Sequence, residues 1–224
     1  GLSEVYYNDL RQRLDTYWQE FLEDQEFKDS ILDRLRQIIP PEHIVASPKA
    51  LVECSTDATD LRLEIPLLML SPGSTEEIQS IVRLASEMGF ALVPRGGGSG
   101  LTGGAVPAHR HSVILSLSRM KTILEVDPAA QIICAQAGVI TLTAIQAAAQ
   151  KDLVLTVDPA SKAASSLGGN ISENAGGPFA FEYGTTLDNI YSYKMVLPDG
   201  SLIEVCRRDH PWRKILAEDT AIFD

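Results

Sequence analysis

The sequence is short of cysteine and of positive charge, and each shortage excludes a class of protein. Only three of the 224 residues are cysteine, and none forms a CxxC pair or a zinc-ligand spacing. An odd number of cysteines without a disulfide framework is typical of a reducing cytoplasm. Lysine and arginine number 19 against 30 acidic residues, which gives a formal net charge of -11. Because an acidic chain repels phosphate backbones, we expect no nucleic-acid binding.

Long apolar runs are missing as well. No stretch of 18 apolar residues occurs, so we expect no transmembrane segment. A hydrophobic content of 45% is still enough to build one large domain or two smaller ones. Since the net charge attracts no anion, an anionic ligand would have to be held by local hydrogen-bond donors.

The N-terminal part, residues 1–43, is predicted to be a helical extension. Apolar residues recur at helical spacing in two stretches between residues 3 and 38, and Pro40-Pro41 ends the pattern. The two stretches contain Leu10, Leu14, Tyr17, Trp18 and Phe21, then Phe27, Ile31, Leu35 and Ile38. We expect this extension to pack on the main body of the protein.

Strand and helix patterns alternate after residue 44. A strand over 67–70, a capped helix over 74–89 and a strand over 90–94 predict a parallel pair of strands joined by a crossover helix. The remaining pattern predicts a hairpin around Asp199-Gly200, a helix over 142–150, and strands over 113–117, 123–126, 132–137 and 153–157. The tail from residue 207 has a basic cluster (Arg207, Arg208, Arg213, Lys214) and no clear element.

Six glycines occupy the nine positions from Gly96 to Gly104. Each glycine costs conformational entropy, and we do not expect packing to account for so many of them. Such density is useful where the main chain takes positive φ or approaches a ligand closely. Consecutive N–H groups of such a loop can converge on an anion, and a pyrophosphate suits that geometry.

Three phosphate-binding interpretations of this loop compete, beside a surface loop without a ligand. A P-loop needs Gly-Lys-Ser/Thr at its end, which is absent. A dinucleotide fingerprint matches at Gly98, Gly100 and Gly103, but residues 105–111 are loop-like and predict no following helix. We therefore favour a pyrophosphate loop that runs between strands.

A second glycine-rich stretch, over residues 165–178, mixes two Gly-Gly pairs with serine and asparagine. The pairs suggest a main chain that wraps around a flat or bulky ligand. Either stretch alone is ambiguous. Two of them in one domain, both next to predicted strands, indicate a large nucleotide-like cofactor.

These motifs together resemble the FAD-linked oxidases of the vanillyl-alcohol-oxidase type. Within that family the likeness is to the glycolate oxidase FAD subunit and the D-lactate dehydrogenases, and it covers roughly residues 44–205. The motifs that carry it lie at 55–59, 72–77, 94–104, 157–159, 168–170, 173–177, 183–184 and 197–200.

The resemblance implies an α+β fold, with FAD held between two α/β subdomains. We expect the first subdomain at 44–118 and the second at 119–206, with the helical extension before them and a tail at 207–224 after them. The family carries a substrate domain beyond this point, so the tail is expected to stop short of one. An excised domain, a truncated chain and one half of a split enzyme all stay open.

The resemblance also assigns cofactor contacts. The pyrophosphate would lie on the first loop, at Arg95, Gly96, Gly97, Gly98, Ser99, Gly100, Leu101 and Thr102. Whether Arg95 neutralises phosphate or forms an ion pair stays open. The flavin and ribityl side would be lined by Pro159, Ser165, Gly168, Gly169, Asn170, Asn174, Gly176, Gly177, Tyr183 and Gly184. Glu173 would face away from the anionic cofactor or cap a turn.

Some members of the family attach FAD to a histidine of the first loop. This loop has no histidine, so FAD is expected to bind non-covalently. His109 and His111 lie in a loop with no carboxylate nearby in the sequence, and we expect them to be exposed to solvent. No catalytic residue and no metal ligand is assigned, since those of the family follow the region present here.

The implied activity is oxidation of a small 2-hydroxy acid, such as D-lactate, glycolate or 2-hydroxyglutarate, to the 2-oxo acid. The electron acceptor would be a quinone or an iron–sulfur protein or domain. We expect a cytoplasmic location, with attachment to the periphery of the inner membrane through a partner as a further option. Two alternatives stay open: a non-catalytic FAD-binding or electron-transfer subunit, and a FAD-fold reductase of cell-wall precursors.

Overall fold

The computed structural model describes residues 2–59, 61–208, 214–216, 219 and 222–224. Its first element, α1 (Leu2–Leu35), confirms the helical extension. Only the end of α1 packs on the body: Ile31 and Leu35 are fully buried, whereas every residue from 4 to 23 is exposed. The expectation that the whole extension packs was therefore wrong for the stretch from Leu10 to Phe21.

A mixed four-stranded sheet forms the first half of the body. Its strands are β1 (Ile44–Val45), β2 (Leu68–Leu70), β3 (Ala91–Arg95) and β4 (Ser112–Ser116), in the order β1-β2-β4-β3. Strands β2 and β3 are parallel, but β4 lies between them and pairs with both. The expected parallel strands and crossover helix are confirmed, but β2 and β3 do not pair with each other because β4, buried along its entire length, takes the central position.

The two faces of this sheet carry different helices. Helix α3 (Thr75–Met88) begins at Ser74, whose hydroxyl accepts from the Glu77 N–H, and ends at Gly89 in the left-handed conformation. Strand residues with alternating side chains pack with α1 and α3 into one core, which includes Leu68, Leu70, Val113 and Leu115. The opposite face, with Ile114, packs against the short helix α2 (Pro48–Cys54).

The second half of the body contains two antiparallel pairs, β5 (Ile123–Asp127) with β6 (Ile132–Ala135) and β7 (Ser192–Val196) with β8 (Leu202–Cys206). Between them lie three helices, α4 (Thr141–Ala149), α5 (Leu167–Glu173) and α6 (Ala180–Tyr183). The strand expected over 153–157 does not form. Its residues run as irregular chain, with Val154 78% exposed and Val157 buried.

The hairpin expected at Asp199-Gly200 is confirmed, and it docks on the first half of the body. Gln79 and Arg83 of α3 donate to the Gly200 carbonyl at 2.7 and 3.2 Å, and Ser86 donates to the Pro198 carbonyl at 2.8 Å. Gly200 has a φ of 78°, and a Cβ there would lie 2.5 Å from Arg83 Cγ. The turn therefore ties β7 and β8 to α3.

The end of the chain has more order than the sequence indicates. Asp224 exchanges two main-chain hydrogen bonds with Cys206, at 2.8 and 2.9 Å, and Arg208 N–H donates to the Ile222 carbonyl. Residues 222–224 thus lie alongside the end of β8 and extend the hairpin by a short third segment. Of the basic cluster, Arg207 is buried, Arg208 pairs with Asp224 and Lys214 donates to the Phe181 carbonyl, while Arg213 lies outside the described residues.

Across the described part of the chain, no helix combines the length and the apolar character needed to cross a bilayer. The predicted subdomain boundaries, 44–118 and 119–206, stay predictions.

We predict that Ile31→Ala lowers the free energy of unfolding by about 2–5 kcal/mol, because it leaves a cavity where α1 meets the sheet. Urea unfolding followed by circular dichroism measures the change. Val5→Ala, at a position 70% exposed on the same helix, is the matched control and should change stability by less than about 0.5 kcal/mol. Equal effects of the two variants would contradict this packing.

Candidate cofactor site

The first glycine loop follows β3 and reaches residue 111 without forming a helix or strand. This confirms that the Gly98, Gly100 and Gly103 fingerprint is not followed by a helix. Within the described residues, none of the nine main-chain N–H groups from Gly96 to Gly104 donates to a protein acceptor. These N–H groups are therefore available to an external acceptor, and consecutive ones can converge on an anion.

The two glycine-rich segments touch each other. A Cβ on Gly96 would lie 2.1 Å from Ser166 Oγ, and one on Gly97 would lie 1.9 Å from the Ala164 carbonyl oxygen. Both distances are too short for any side chain. Packing therefore does account for these two glycines, contrary to expectation: Gly96 faces the Ser166 side chain, Gly97 faces the Ala164 main chain, and the two segments come together there.

A side-chain hydrogen bond joins the segments a second time. The Thr102 hydroxyl donates to Glu173 Oε2 at 2.5 Å, and a Cβ on Gly104 would lie 2.4 Å from Glu173 Oε1. Glu173 was expected to face away or cap a turn, but its carboxylate faces the loop. The sequence offers no signal for this bond because its partners are 71 residues apart.

The Arg95 side chain contacts the first glycine loop at two points. Its Nη1 donates to the Ala105 carbonyl at 3.3 Å, and a Cβ on Gly98, whose φ is 63°, would lie 2.2 Å from Nη2. Burial raises the pKa of the nearby Asp57 carboxyl, but hydrogen bonds from Thr59 and the Arg95 charge hold that pKa below its ordinary value. Arg95 thus has local partners, and its contact with phosphate stays a prediction.

The second segment is folded differently from the first. Gly168, Gly169 and Asn170 lie in α5, which is capped by the Ser166 hydroxyl. Their N–H groups donate to the Ala137 carbonyl, to Ser166 Oγ and to the Ser166 carbonyl. These three residues therefore offer no free main-chain donor. Further along, the described residues include no acceptor for the N–H groups of Gly176 and Gly177.

A buried polar network holds the second segment in place. The Asn170 amide donates to Thr141 Oγ1 at 2.8 Å, and Thr141 Oγ1 lies 2.8 Å from Ser165 Oγ. All three residues are less than 9% exposed. The sequence assigned Asn170 and Ser165 to the cofactor, whereas in the structure their side chains hold α4 and α5 together. Thr141 was missed because nothing in its local sequence distinguishes it from any helix-starting threonine.

Asp188 organises the segment that follows α6, and sequence reasoning missed this residue as well. Its carboxylate accepts from Thr185 N–H at 2.7 Å, from the Thr185 hydroxyl at 3.1 Å and from Ile215 N–H at 2.7 Å. A Cβ on Gly184, whose φ is 82°, would lie 2.4 Å from this carboxyl group. Burial raises the pKa of Asp188, but these hydrogen bonds and the charge of Lys214 bring it below its ordinary value.

The other expected contacts are spread over the same region. Asn174 is left-handed, with a φ of 50°, and its Oδ1 accepts from the Leu187 N–H. Leu101 and Tyr183 are 76% and 49% exposed, so neither is a core residue. Ser99 and Pro159 are half-buried, and a Cβ on Gly100 would meet no atom within 4 Å. Gly100 is thus the loop glycine with open space beside its main chain.

His111 departs from the expected exposure. Its ring nitrogen Nε2 lies 2.9 Å from Asp24 Oδ1, its ring packs 4.5 Å from that of Phe27, and its side chain is 40% exposed. Asp24 also accepts from Arg110 Nε at 2.8 Å. The carboxylate that was not expected near this histidine comes from α1, 87 residues away. His109 is exposed, as expected.

The fold and the glycine loops define a class of flavoprotein. p-Cresol methylhydroxylase superposes with a TM-score of 0.72 over 84% of this chain and 38% of that protein, at 19% identity. Alkyldihydroxyacetonephosphate synthase superposes with a TM-score of 0.71 over 79% of this chain and 38% of that protein, at 25% identity. The overall fold is therefore that of the vanillyl-alcohol-oxidase type.

The sequence profile of the FAD binding domain family matches residues 66–205, so the chain belongs to that family. Glycolate oxidase subunit GlcD of Bacillus subtilis is 35% identical over 87% of this chain and 40% of its own length. D-2-hydroxyglutarate dehydrogenase of Xanthomonas citri is 36% identical over 76% of this chain and 36% of its own length. The chain thus spans at most about two fifths of these curated relatives.

FAD is the cofactor of this family, and the loops fit it. The run of unused donors from Gly96 to Gly104 suits a diphosphate, since it supplies hydrogen bonds without adding positive charge to an acidic protein. The open space beside Gly100 leaves room for a ligand atom against the main chain. The individual cofactor contacts stay predictions.

We predict that Gly97→Ala separates the two segments, because its Cβ would overlap the Ala164 carbonyl. The expected loss of stability is about 1–3 kcal/mol, together with weaker FAD binding. Gly100→Ala is the matched control, since its Cβ has open space, and should change stability by less than about 0.5 kcal/mol. Thermal unfolding without FAD measures both. A Gly97→Ala protein as stable as the control would contradict the main-chain contact.

We also predict that Asp188→Asn lowers stability at neutral pH by about 1–3 kcal/mol, since the amide replaces a charged acceptor of three hydrogen bonds. The folded pKa of Asp188 is depressed, so its contribution is complete above the unfolded pKa of about 3.9 and is lost as the pH falls through the folded value. The difference between wild type and variant should therefore shrink below about pH 4. Urea unfolding over a pH series tests this, with the exposed Asp15→Asn as control. A difference independent of pH would overturn it.

Proposed function

We propose that the chain is the FAD-binding part of a flavin-dependent dehydrogenase or oxidase that acts on a small 2-hydroxy acid. The observation that carries the cofactor part is the run of unused N–H groups between Gly96 and Gly104, held against the second segment by the close contact of Gly97 with the Ala164 main chain. The substrate class is supported by the relatives, two of which are named for glycolate and D-2-hydroxyglutarate.

In this proposal the residues divide into two groups. The main chain of residues 96–102 binds the pyrophosphate, and that of Gly176-Gly177 lies on the flavin and ribityl side with Tyr183 and Gly184. Asn170, Ser165 and Asp188 act as positioning residues, since their side chains already bind protein groups. When bound, the flavin would accept a hydride equivalent from the alcohol carbon of the substrate.

The electron acceptor in this proposal is a quinone or an iron–sulfur protein or domain. GlcD is named a subunit of glycolate oxidase, which supports a role within a larger assembly. The same name favours the second candidate function, a FAD-binding subunit that performs no substrate chemistry itself. Both candidates require the same cofactor site and differ only in whether the flavin is reduced by a hydroxy acid.

We predict that the chain binds FAD non-covalently and prefers it to riboflavin by at least about tenfold, because riboflavin lacks the phosphates that the loop donors would hold. Quenching of flavin fluorescence measures both affinities. The same two affinities are measured for Gly100→Ala, because its Cβ would occupy the open space beside the first glycine loop. Equal affinity for FAD and riboflavin would contradict a pyrophosphate loop. Yellow colour left in an acid-precipitated pellet would contradict non-covalent binding.

The substrate part is tested separately, with the longest polypeptide that contains the chain. Under anaerobic conditions, bleaching of the bound flavin by D-lactate, glycolate or D-2-hydroxyglutarate supports the enzyme. A flavin that dithionite reduces but none of these acids reduces would support the non-catalytic subunit, and it would leave the cofactor site intact.

A further inference from the structure

The N-terminal half of α1 is an exposed amphipathic helix that meets the body of the protein at Glu20, whose carbonyl accepts from Arg110 Nη2 at 2.7 Å. All residues from 4 to 23 are exposed, and they include large apolar side chains such as Leu14, Tyr17 and Trp18 at 58–65% exposure. In proteins most of the stability of a helix comes from the packing of its amphipathic face. The exposed face of this half is therefore a surface built for a partner.

The pattern of the face identifies the partner as another helix. Tyr7, Leu10, Leu14, Tyr17 and Phe21 follow one another at spacings of three, four, three and four residues. This is the seven-residue repeat that keeps one seam of a helix against a second helix at a small crossing angle. We refer to these five residues as the α1 seam.

The α1 seam ends where α1 begins to contact the body of the protein. The next position of the repeat is Asp24, whose carboxylate is bound to Arg110 and His111 at 2.8 and 2.9 Å. From Phe27 onward the helix packs on its own domain. The α1 seam therefore ends at Phe21, and beyond that residue a partner helix has to diverge from α1.

Charges beside the seam favour a second copy of the same helix in antiparallel orientation. If Leu14 packs against Tyr17 of a second copy and Leu10 against Phe21, Arg13 of each copy falls beside Glu20 of the other, twice over. The same register places Arg11 beside the Trp18 ring of the second copy, where a cation–π contact is favourable. A parallel pair in register brings none of the flanking charges against an opposite charge.

The ion pairs that Arg13 and Glu20 form within their own chain are exposed to solvent, so they do not prevent a pairing between copies. Arg13 Nε lies 3.0 Å from Asp9, with the two side chains 77% and 53% exposed. Glu20 Oε2 lies 3.9 Å from Arg110 Nη1, with exposures of 53% and 44%. Arg13 and Glu20 are two helical turns apart, about 10 Å, so they do not pair with each other inside one helix.

We propose that two copies of this protein associate through the α1 seam, as an antiparallel helix pair with its two-fold axis between Asp15 and Thr16. The pair has four apolar layers, formed by Leu10, Leu14, Tyr17 and Phe21 of each copy. The contact is small, so it is a concentration-dependent equilibrium.

Charge exchange tests the register. Sedimentation equilibrium of the 224-residue protein over about two decades of concentration should show a monomer–dimer equilibrium. Arg13→Glu and Glu20→Arg should each raise the dimer dissociation constant by at least about tenfold, and the double variant should return to within about threefold of wild type. Because the two positions do not touch within one helix, this rescue arises only between copies.

Gln19→Arg, on the opposite face of the helix, is the charge control and should leave the dissociation constant unchanged. Circular dichroism establishes that each variant retains α1. A wild-type protein that stays monomeric over the whole range would overturn the proposal. So would a double variant that dimerises no better than the single ones.

Cross-linking tests the orientation independently. In a background with Cys134→Ser and Cys206→Ser, the double variant Leu10→Cys/Phe21→Cys should form a covalent dimer under copper–phenanthroline and oxygen, each disulfide giving two protons and two electrons to the oxidant. Within one helix these positions are about 16 Å apart, beyond the reach of a disulfide. Leu10→Cys/Tyr17→Cys, which does not match the register, should stay monomeric. Equal cross-linking of the two variants would refute the antiparallel register.

Discussion

The cofactor site depends on one close approach, where Gly97 meets the main chain of Ala164 and Gly96 meets the side chain of Ser166. These segments come from different halves of the body, one between β3 and β4 and one before α5. Any side chain at either glycine would separate them. With the contact in place, a loop with unused donors and a helix with satisfied ones lie side by side.

The site also shows how an acidic protein can hold an anion. The overall charge is unfavourable, and the ionised groups nearest the first loop are Arg95 and Glu173, of opposite sign. What remains is a set of peptide dipoles whose N–H groups have no protein acceptor in the described part of the chain. Such donors act at hydrogen-bond distance and lose little to salt, unlike a field from distant charges.

Local sequence was sufficient for most elements and for the glycine loop, because helix caps, apolar periodicity and glycine density are local signals. It failed where a distant partner decides the outcome. The expected strand at 153–157 finds no neighbouring strand, and β4 enters between β2 and β3 because its residues can be buried on both faces. Local sequence likewise gave no sign that the Asn170 amide donates to Thr141, 29 residues earlier, while the contact of Asn170 with the cofactor stays a prediction.

The docking of the Asp199-Gly200 turn has a consequence for the site. Through Gly200 and Pro198 the turn fixes the β7–β8 hairpin to α3, and α3 packs on the sheet from which the first glycine loop emerges. The same hairpin leads at Arg207 into Asp188 and the segment after α6. The relative position of the first glycine loop and the segment after α6 thus also depends on a turn that belongs to neither, so a substitution in this turn would reach the cofactor site from a distance.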